Sequence, residues 1–106
     1  YNNNNYNNNN YNNNYSGNSS YNGVTVYVAS WFKGEHAVYG EGRFDLRNSS
    51  LKSNISSLSI QPGYRVTVFE DYDFRGRSMT FSSSTANLAG LGWNDNIRSF
   101  IVFRPY

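Results

Sequence analysis

Val24-Thr25-Val26-Tyr27 recurs 42 residues later in the chain as Val66-Thr67-Val68-Phe69. The same displacement continues through both copies, pairing Phe32 with Phe74, Gly34 with Gly76, Tyr39 with Phe81, Leu46 with Leu88, Asn54 with Asn96, Ile55 with Ile97 and Ser57 with Ser99. A fixed period of this kind indicates two copies of one supersecondary unit, neither of which buries its apolar face alone. The sequence therefore predicts one core built from two motifs.

Each copy begins with the alternation that is typical of a half-buried β-strand. Val24, Val26 and Val28 share one side of the first copy, as Val66 and Val68 do in the second. Further strands are predicted near residues 36–40, 55–60, 77–82 and 97–103, between turns marked by glycine and proline. Helical spacing is confined to one short turn predicted within residues 88–93. Short strands at this spacing predict an all-β sandwich.

The aromatic and glycine positions in these copies carry a resemblance to a known family. Tyr27-x-x-x-x-Phe32-x-Gly34 and Phe69-x-x-x-x-Phe74-x-Gly76 resemble the paired Greek-key signature of the βγ-crystallins, in their microbial, non-lens form. In such a folded hairpin two rings stack at the corner, and glycine adopts a backbone conformation that a Cβ would resist.

The resemblance covers nearly all of residues 24–106, divided into motif one at 24–64 and motif two at 65–106. It implies an all-β, two-motif Greek-key β-sandwich in which each motif contributes a strand to the partner sheet. The family includes transparent structural proteins, calcium binders, coat proteins and inhibitors, so the fold leaves the function open.

Residues 1–23 form a low-complexity tail ahead of this domain. The first charged residue of the whole chain is Lys33. Asparagine dominates the tail, and aromatic rings recur at Tyr1, Tyr6, Tyr11, Tyr15 and Tyr21. This composition cannot build an apolar core, whereas amide ladders and stacked rings join one chain to another. A disordered polar linker is the alternative interpretation.

Two loops resemble the calcium loops of the family, which begin with Asn or Asp and end with hydroxyl residues. They read Lys-Ser-Asn-Ile-Ser-Ser at 52–57 and Asn-Asp-Asn-Ile-Arg-Ser at 94–99. The resemblance also implies ligands from the partner hairpin, near Glu70 and Asp71 for the first loop and near Ala29 and Ser30 for the second. The candidate metal ligands are Asn54, Ser56, Glu70, Asp71, Asn94 and Asp95.

Each loop departs from the calcium pattern in a different way. The first begins with Lys52, and the second places Arg98, a permanent cation without an acceptor, at the hydroxyl position. Calcium requires several hard oxygens, so any binding is expected to be weak. The alternative is structural, with Asn94, Asp95 and Asn96 forming a turn whose side chains bond the backbone.

Composition argues against several other classes of protein. The net charge is only +2, so no field for nucleic acid is expected, and no apolar run is long enough for membrane insertion. Cysteine is absent and His36 is the single histidine, so we expect no enzyme. Asn14, Asn18, Asn48 and Asn54 open Asn-x-Ser sequons and are candidate glycosylation sites.

These observations predict a structural, self-assembling protein, a subunit of an extracellular filament or matrix whose partners are copies of itself. In this hypothesis the Tyr/Asn tail joins neighbouring domains, and the location is secreted or cell-surface. The alternative is a monomeric calcium-binding module with weak or degenerate sites and a spacer tail. An inhibitor or coat-binding domain is a third possibility, for which the sequence offers no reactive loop. No cofactor other than weakly bound calcium is predicted.

Overall fold

The computed structural model describes residues 23–105, and the predictions made for Tyr1, Tyr6, Tyr11, Tyr15, Tyr21, Asn14 and Asn18 lie outside them. The described chain contains seven strands: β1 Val24–Ala29, β2 Lys33–Tyr39, β3 Gly42–Asp45, β4 Ser57–Ile60, β5 Arg65–Asp71, β6 Arg75–Phe81 and β7 Ser99–Phe103. Two short 3₁₀ helices lie at Tyr72–Phe74 and Leu88–Leu91.

The strands form two antiparallel sheets that exchange segments between the motifs. The first sheet has the order β2-β1-β4 and the second the order β3-β7-β5-β6. β3 belongs to motif one but pairs with β7 of motif two, with Phe44 opposite Phe100. In return, a bridge between Leu58 and Thr85 brings motif two to the edge of the first sheet. The predicted all-β sandwich with strand exchange is confirmed.

The core lies between the two sheets and is formed by the alternating residues that the sequence placed on one face. Its members are Val24, Val26, Leu46, Leu51, Ile55, Leu58, Ile60, Val66, Val68, Phe81, Leu88, Trp93, Ile97, Phe100 and Val102. Five of the strand valines are fully buried. Because both motifs supply these side chains to one cluster, neither motif has a complete core of its own.

The two folded hairpins have nearly the same geometry. The ring centroids of Tyr27 and Phe32 lie 5.7 Å apart, and those of Phe69 and Phe74 lie 5.8 Å apart, both edge to face. This confirms the predicted aromatic corner. The glycine that follows each corner has a φ near 80°, in the left-handed region that a side chain resists.

Three features of the fold differ from the sequence-based prediction. β3 and the helix at Tyr72–Phe74 were not predicted, and the observed strands begin and end a few residues from the predicted limits. The short helical turn predicted within residues 88–93 is present at Leu88–Leu91, and Asn87 caps it by accepting from the Ala89 amide at 3.0 Å. The missed elements are short and depend on contacts distant in sequence.

Candidate metal site

The two calcium-type loops lie against each other in a crossed arrangement. The Ser53 amide of the first loop donates to the Ile97 carbonyl of the second at 3.1 Å, and the Asp95 amide donates to the Ile55 carbonyl at 3.0 Å. Ser53 and Asp95, which are equivalent in the repeat, both have a φ near 60°. The start of each loop therefore lies beside the end of the other, which creates two composite sites.

The first composite site, called the Arg98 site, consists of Lys52, Ser53, Arg98 and the hairpin backbone at Phe69 and Glu70. The Arg98 amide donates to the Phe69 carbonyl at 3.0 Å, and its Nη1 donates to the Glu70 carbonyl at 2.9 Å. The guanidinium is therefore hydrogen-bonded to a backbone oxygen that a metal ion would need as a ligand. With Lys52 also present, this site is unsuited to a divalent cation.

The second composite site, called the Ser56 site, combines Asn94 and Asp95 with Ser56 and the hairpin backbone at Tyr27 and Val28. The Ser56 amide donates to the Tyr27 carbonyl at 2.8 Å, just as Arg98 does to Phe69. The repeat therefore places the Val28 carbonyl at the position equivalent to that of Glu70. Here a short hydroxyl replaces the guanidinium, and within residues 23–105 no cationic side chain donates to the Val28 carbonyl.

The Ser56 hydroxyl is notable because it is buried without a hydrogen-bond partner. Ser56 is 7% exposed, and within residues 23–105 its Oγ forms no hydrogen bond. Buried hydroxyl groups nearly always have a partner, so an unpaired one on the residue after Ile55, whose carbonyl accepts from the Asp95 amide, is a candidate ligand position. Asn94 Nδ2 lies 3.3 Å from Asp95 Oδ2, which keeps these two side chains together at the loop start.

The oxygen set at the Ser56 site fits calcium better than any transition metal. One carboxylate, one amide, one hydroxyl and backbone carbonyls are all hard donors, the kind that calcium prefers. Among the described residues, no three His, Cys, Asp or Glu side chains gather in one place. A single carboxylate at the site predicts low affinity, since affinity rises with ligand charge.

The remaining predicted ligands have other partners. Asn54 Nδ2 donates to the Ser50 carbonyl at 2.9 Å, and its repeat equivalent Asn96 closes the same turn in motif two. Glu70 forms an ion pair with Arg77 at 3.4 Å, while Asp71 Oδ1 accepts from the Tyr72 amide at 2.7 Å. The structure therefore brings together Ser56, Asn94 and Asp95, and leaves Asn54, Glu70 and Asp71 in turns and hairpins.

Each loop is a continuous segment of the sequence, so the pairing of one loop's start with the other loop's end was not predicted. The signal was present in the repeat itself, because two equivalent motifs that pack symmetrically bring the start of one loop to the end of the other. The Val28 carbonyl had no sequence signal, since any residue type supplies a backbone oxygen.

A charge cluster beside the motif-two hairpin serves a structural role. Arg47 Nε lies 3.1 Å from Asp45, and Arg47 Nη2 lies 2.8 Å from Asp73. Hydrogen bonds from the Arg47 side chain hold the pKa of Asp45 well below its usual range. Asp45 also accepts from the Asp73 amide at 2.9 Å, which fixes the tip of the hairpin.

Other predicted positions are exposed. His36 lies on the surface, with Nδ1 3.2 Å from the Gly34 carbonyl and its ring 5.3 Å from that of Tyr27. The sequon residues Asn48 and Asn54 are also exposed. No helix in residues 23–105 has the length and apolar character needed to cross a membrane.

Two exchanged Greek-key motifs joined by crossed loops define a class of small β-sandwich domain. A family model described as beta/gamma crystallin matches residues 65–105. A βγ-crystallin domain from Flavobacterium johnsoniae is 31% identical, with a TM-score of 0.72, over 77% of this chain and 94% of that chain. One from Clostridium beijerinckii is 26% identical, with a TM-score of 0.69, over 76% of this chain and 97% of that chain. The chain belongs to the βγ-crystallin family.

A more distant likeness supports the same fold. The N-terminal domain of protein S is 21% identical, with a TM-score of 0.70, over 78% of this chain and 97% of that chain. No curated protein is similar enough to this chain to count as a match. The family resemblance carried by the two hairpins is confirmed.

Proposed function

We propose that the domain is a binding and structural module rather than an enzyme, and that it holds one calcium ion at the Ser56 site. Two observations support this proposal: the buried Ser56 hydroxyl has no hydrogen-bond partner within residues 23–105, and the preceding carbonyl, that of Ile55, accepts from the Asp95 amide at the start of the other loop. Calcium bound there would be coordinated by the hydroxyl oxygen of Ser56, the amide oxygen of Asn94 and the carboxylate of Asp95. The Arg98 site holds no ion in this proposal, because Arg98 and Lys52 already supply positive charge.

The expected affinity is modest. With one carboxylate at the site, a dissociation constant on the order of 10⁻⁴ M is expected, in the range of extracellular calcium modules. Such a site fills where calcium is abundant, which agrees with the proposed secreted or cell-surface location. This makes calcium a stabiliser of the domain rather than a fast signal.

Isothermal titration calorimetry of the full chain tests the calcium site. One calcium ion should bind per chain, and Asp95→Asn should abolish measurable heat because it removes the single carboxylate of the site. Glu70→Gln is the matched control, since Glu70 lies at the Arg98 site and its loss should leave binding unchanged. Binding that survives Asp95→Asn but fails in Glu70→Gln contradicts the proposal.

We propose a second function for the tail: it joins copies of the protein into an extracellular filament or matrix. Residues 1–22 lack charge and carry five tyrosines in an asparagine-rich sequence. Stacked rings and amide ladders favour association between chains, and the absence of like charges removes the repulsion that would oppose it. The partners in this proposal are copies of the same chain.

Sedimentation velocity of the full chain over a range of concentrations tests self-assembly. The wild-type chain should form species larger than a monomer, and a variant with all five tail tyrosines changed to serine should stay monomeric. Asn2→Ser, Asn7→Ser and Asn12→Ser in one chain provide a matched control that keeps every ring. Equal assembly by the tyrosine variant would rule out the tail as the connector.

A further inference from the structure

Arginine side chains pack on aromatic rings unusually often in this domain. Five such contacts occur within residues 23–105, with guanidinium carbons 4.3–6.0 Å from ring centroids: Arg43 on Phe74, Arg47 on Tyr72, Arg77 on Trp93, Arg98 on Tyr72 and Arg104 on Tyr64. About one significant contact per 70–80 residues is usual. The domain is therefore rich in the chemistry that binds aromatic rings.

Two arginines lie on the outer face of the second sheet. Arg43 is opposite Ile101 in β7, and Arg65 is opposite Phe103 in the same strand. These positions alternate with Phe44, Val66 and Val102, which point into the core, so the arginine side chains lie on the opposite face. We call Arg43, Arg65, Ile101, Thr67 and Phe103 the arginine face.

The cations of this face have no carboxylate partner among the described residues. The ion pairs of the described residues are formed by other arginines, with Arg47 on Asp45 and Asp73, Arg77 on Glu70 and Arg104 on Glu41. Arg43 is exposed, and its guanidinium carbon lies 5.4 Å from the Phe74 ring centroid. The face therefore offers guanidinium groups beside partly exposed apolar side chains.

The tail of the same protein has the complementary chemistry. Residues 1–22 contain five tyrosines and no carboxylate, so they cannot pair with arginine through charge but can stack on it. We infer that the arginine face binds tyrosine side chains from residues 1–22 of a second copy. This inference rests on the proposed self-assembly and identifies the surface that receives the tail.

The spacing of the two partners agrees with this assignment. Arg43 and Arg65 are two strands and two residues apart, or roughly 12 Å by sheet geometry. In an extended bound tail, Tyr11 and Tyr15 would point to the same side roughly 13 Å apart. The backbone spacing of Tyr11 and Tyr15 in an extended tail therefore matches that of Arg43 and Arg65.

The length of the tail favours a second copy over the tail's own domain. From Tyr1 to Tyr21 an extended chain spans roughly 66 Å, whereas the domain measures 37 × 31 × 25 Å. One face of the domain accommodates only part of this length. An extended tail would therefore reach beyond its own domain, and in the proposed assembly the tyrosines farthest from Gly23 bind a neighbour.

The test replaces both arginines of the face with lysine in the full chain. Arg43→Lys and Arg65→Lys together keep the charge but remove the planar group that stacks on rings, so assembly should require roughly tenfold more protein in sedimentation velocity. Arg75→Lys is the matched control, because Arg75 is exposed and lies at the start of β6, outside the arginine face. Melting temperatures of all variants verify that the domain stays folded.

The outcomes separate this inference from the proposal on which it rests. Loss of assembly in the double variant but not in Arg75→Lys supports the arginine face. Wild-type assembly that the double variant retains overturns the arginine face while the connector role of the tail stands. A wild-type chain that stays monomeric overturns both, whether its tail folds back on its own domain or the arginines bind a polyanion such as heparin.

Discussion

The hydroxyl groups of Ser57 and Ser99 each join a folded hairpin to the strand beside it. Ser57 Oγ donates to the Ala29 carbonyl at 2.7 Å and accepts from the Phe32 amide at 3.1 Å. Ser99 forms the equivalent pair in motif two, donating at 2.6 Å to the Asp71 carbonyl. Both serines are fully buried, and each hydroxyl bonds two backbone groups of a folded hairpin.

Ser57→Ala should therefore destabilise the domain by about 1–2 kcal/mol, because it leaves the partly buried Ala29 carbonyl and Phe32 amide without this partner. Chemical denaturation of the full chain measures this change. Ser82→Ala is the control, since Ser82 is exposed and its loss should change the free energy of unfolding by less than about 0.5 kcal/mol. Equal stability of the two variants would contradict the structural role of the hydroxyl.

The Asp45 carboxylate should make stability depend on acid pH. Its pKa is lowered in the folded state, mainly by hydrogen bonds from the Arg47 side chain, so its contribution is complete above the unfolded pKa of about 3.9. That contribution is lost as the pH falls towards the lower folded value. Asp45→Asn should melt below wild type at pH 7, and the two melting curves should converge as the pH falls below about 4.

Salt and a second ion pair provide the controls for the Asp45 prediction. Added salt should narrow the difference at pH 7, since it screens the partly exposed Arg47 pair. Glu41→Gln removes a carboxylate whose pair with Arg104 is about half exposed on both sides, so its melting temperature should stay near that of wild type. If the melting temperature of Asp45→Asn lies below that of wild type by the same amount at every pH, the loss comes from packing rather than from charge.

At the scale of elements, the 42-residue repeat made most of the fold predictable. Alternating valines located β1 and β5, and the aromatic corners located the turns into β2 and β6. β3 was not predicted because Gly42-Arg43-Phe44-Asp45 is short, and its pairing partner β7 begins more than fifty residues later. Local sequence carries no information about a pairing that distant tertiary contacts decide.

Gly23 is the joint between the tail and the first sheet. Its φ is 147°, and its carbonyl accepts from the Gln61 amide at 3.0 Å. A Cβ at this position would lie 2.0 Å from the Tyr39 carbonyl oxygen. The backbone therefore leaves the domain through a space that only glycine fits.

Gly23→Ala should destabilise the domain by at least about 2 kcal/mol, because both the dihedral angle and the contact with Tyr39 oppose a side chain. Thermal and chemical denaturation of the full chain measure the loss. Gly90→Ala is the matched control, since a Cβ at Gly90 meets no atom within 4 Å. Its stability should stay within about 0.5 kcal/mol of wild type, and an equal loss in both variants would contradict the model of the joint.

At the scale of the whole molecule, the repeat decides which residues share a site. The start of each loop lies beside the end of the other. Asn94 and Asp95, which carry oxygen ligands for calcium, therefore lie beside Ser56, which carries a hydroxyl. The unfavourable residues Lys52 and Arg98 meet at the other site. The sequence contained all of these residues, but their grouping depended on a relation between motifs that no single loop displays.

The crossed arrangement predicts how a second calcium site would arise. Lys52→Asn, Ser53→Asp and Arg98→Ser together copy Asn94, Asp95 and Ser56 into the Arg98 site. Calorimetry should then give two calcium ions per chain, because the composite site gains the carboxylate and hydroxyl and loses both cations. Lys52→Asn with Ser53→Asp should still give one ion, since Arg98 continues to occupy the Glu70 carbonyl. If these two changes within one loop suffice, each loop acts alone and the crossed grouping is wrong.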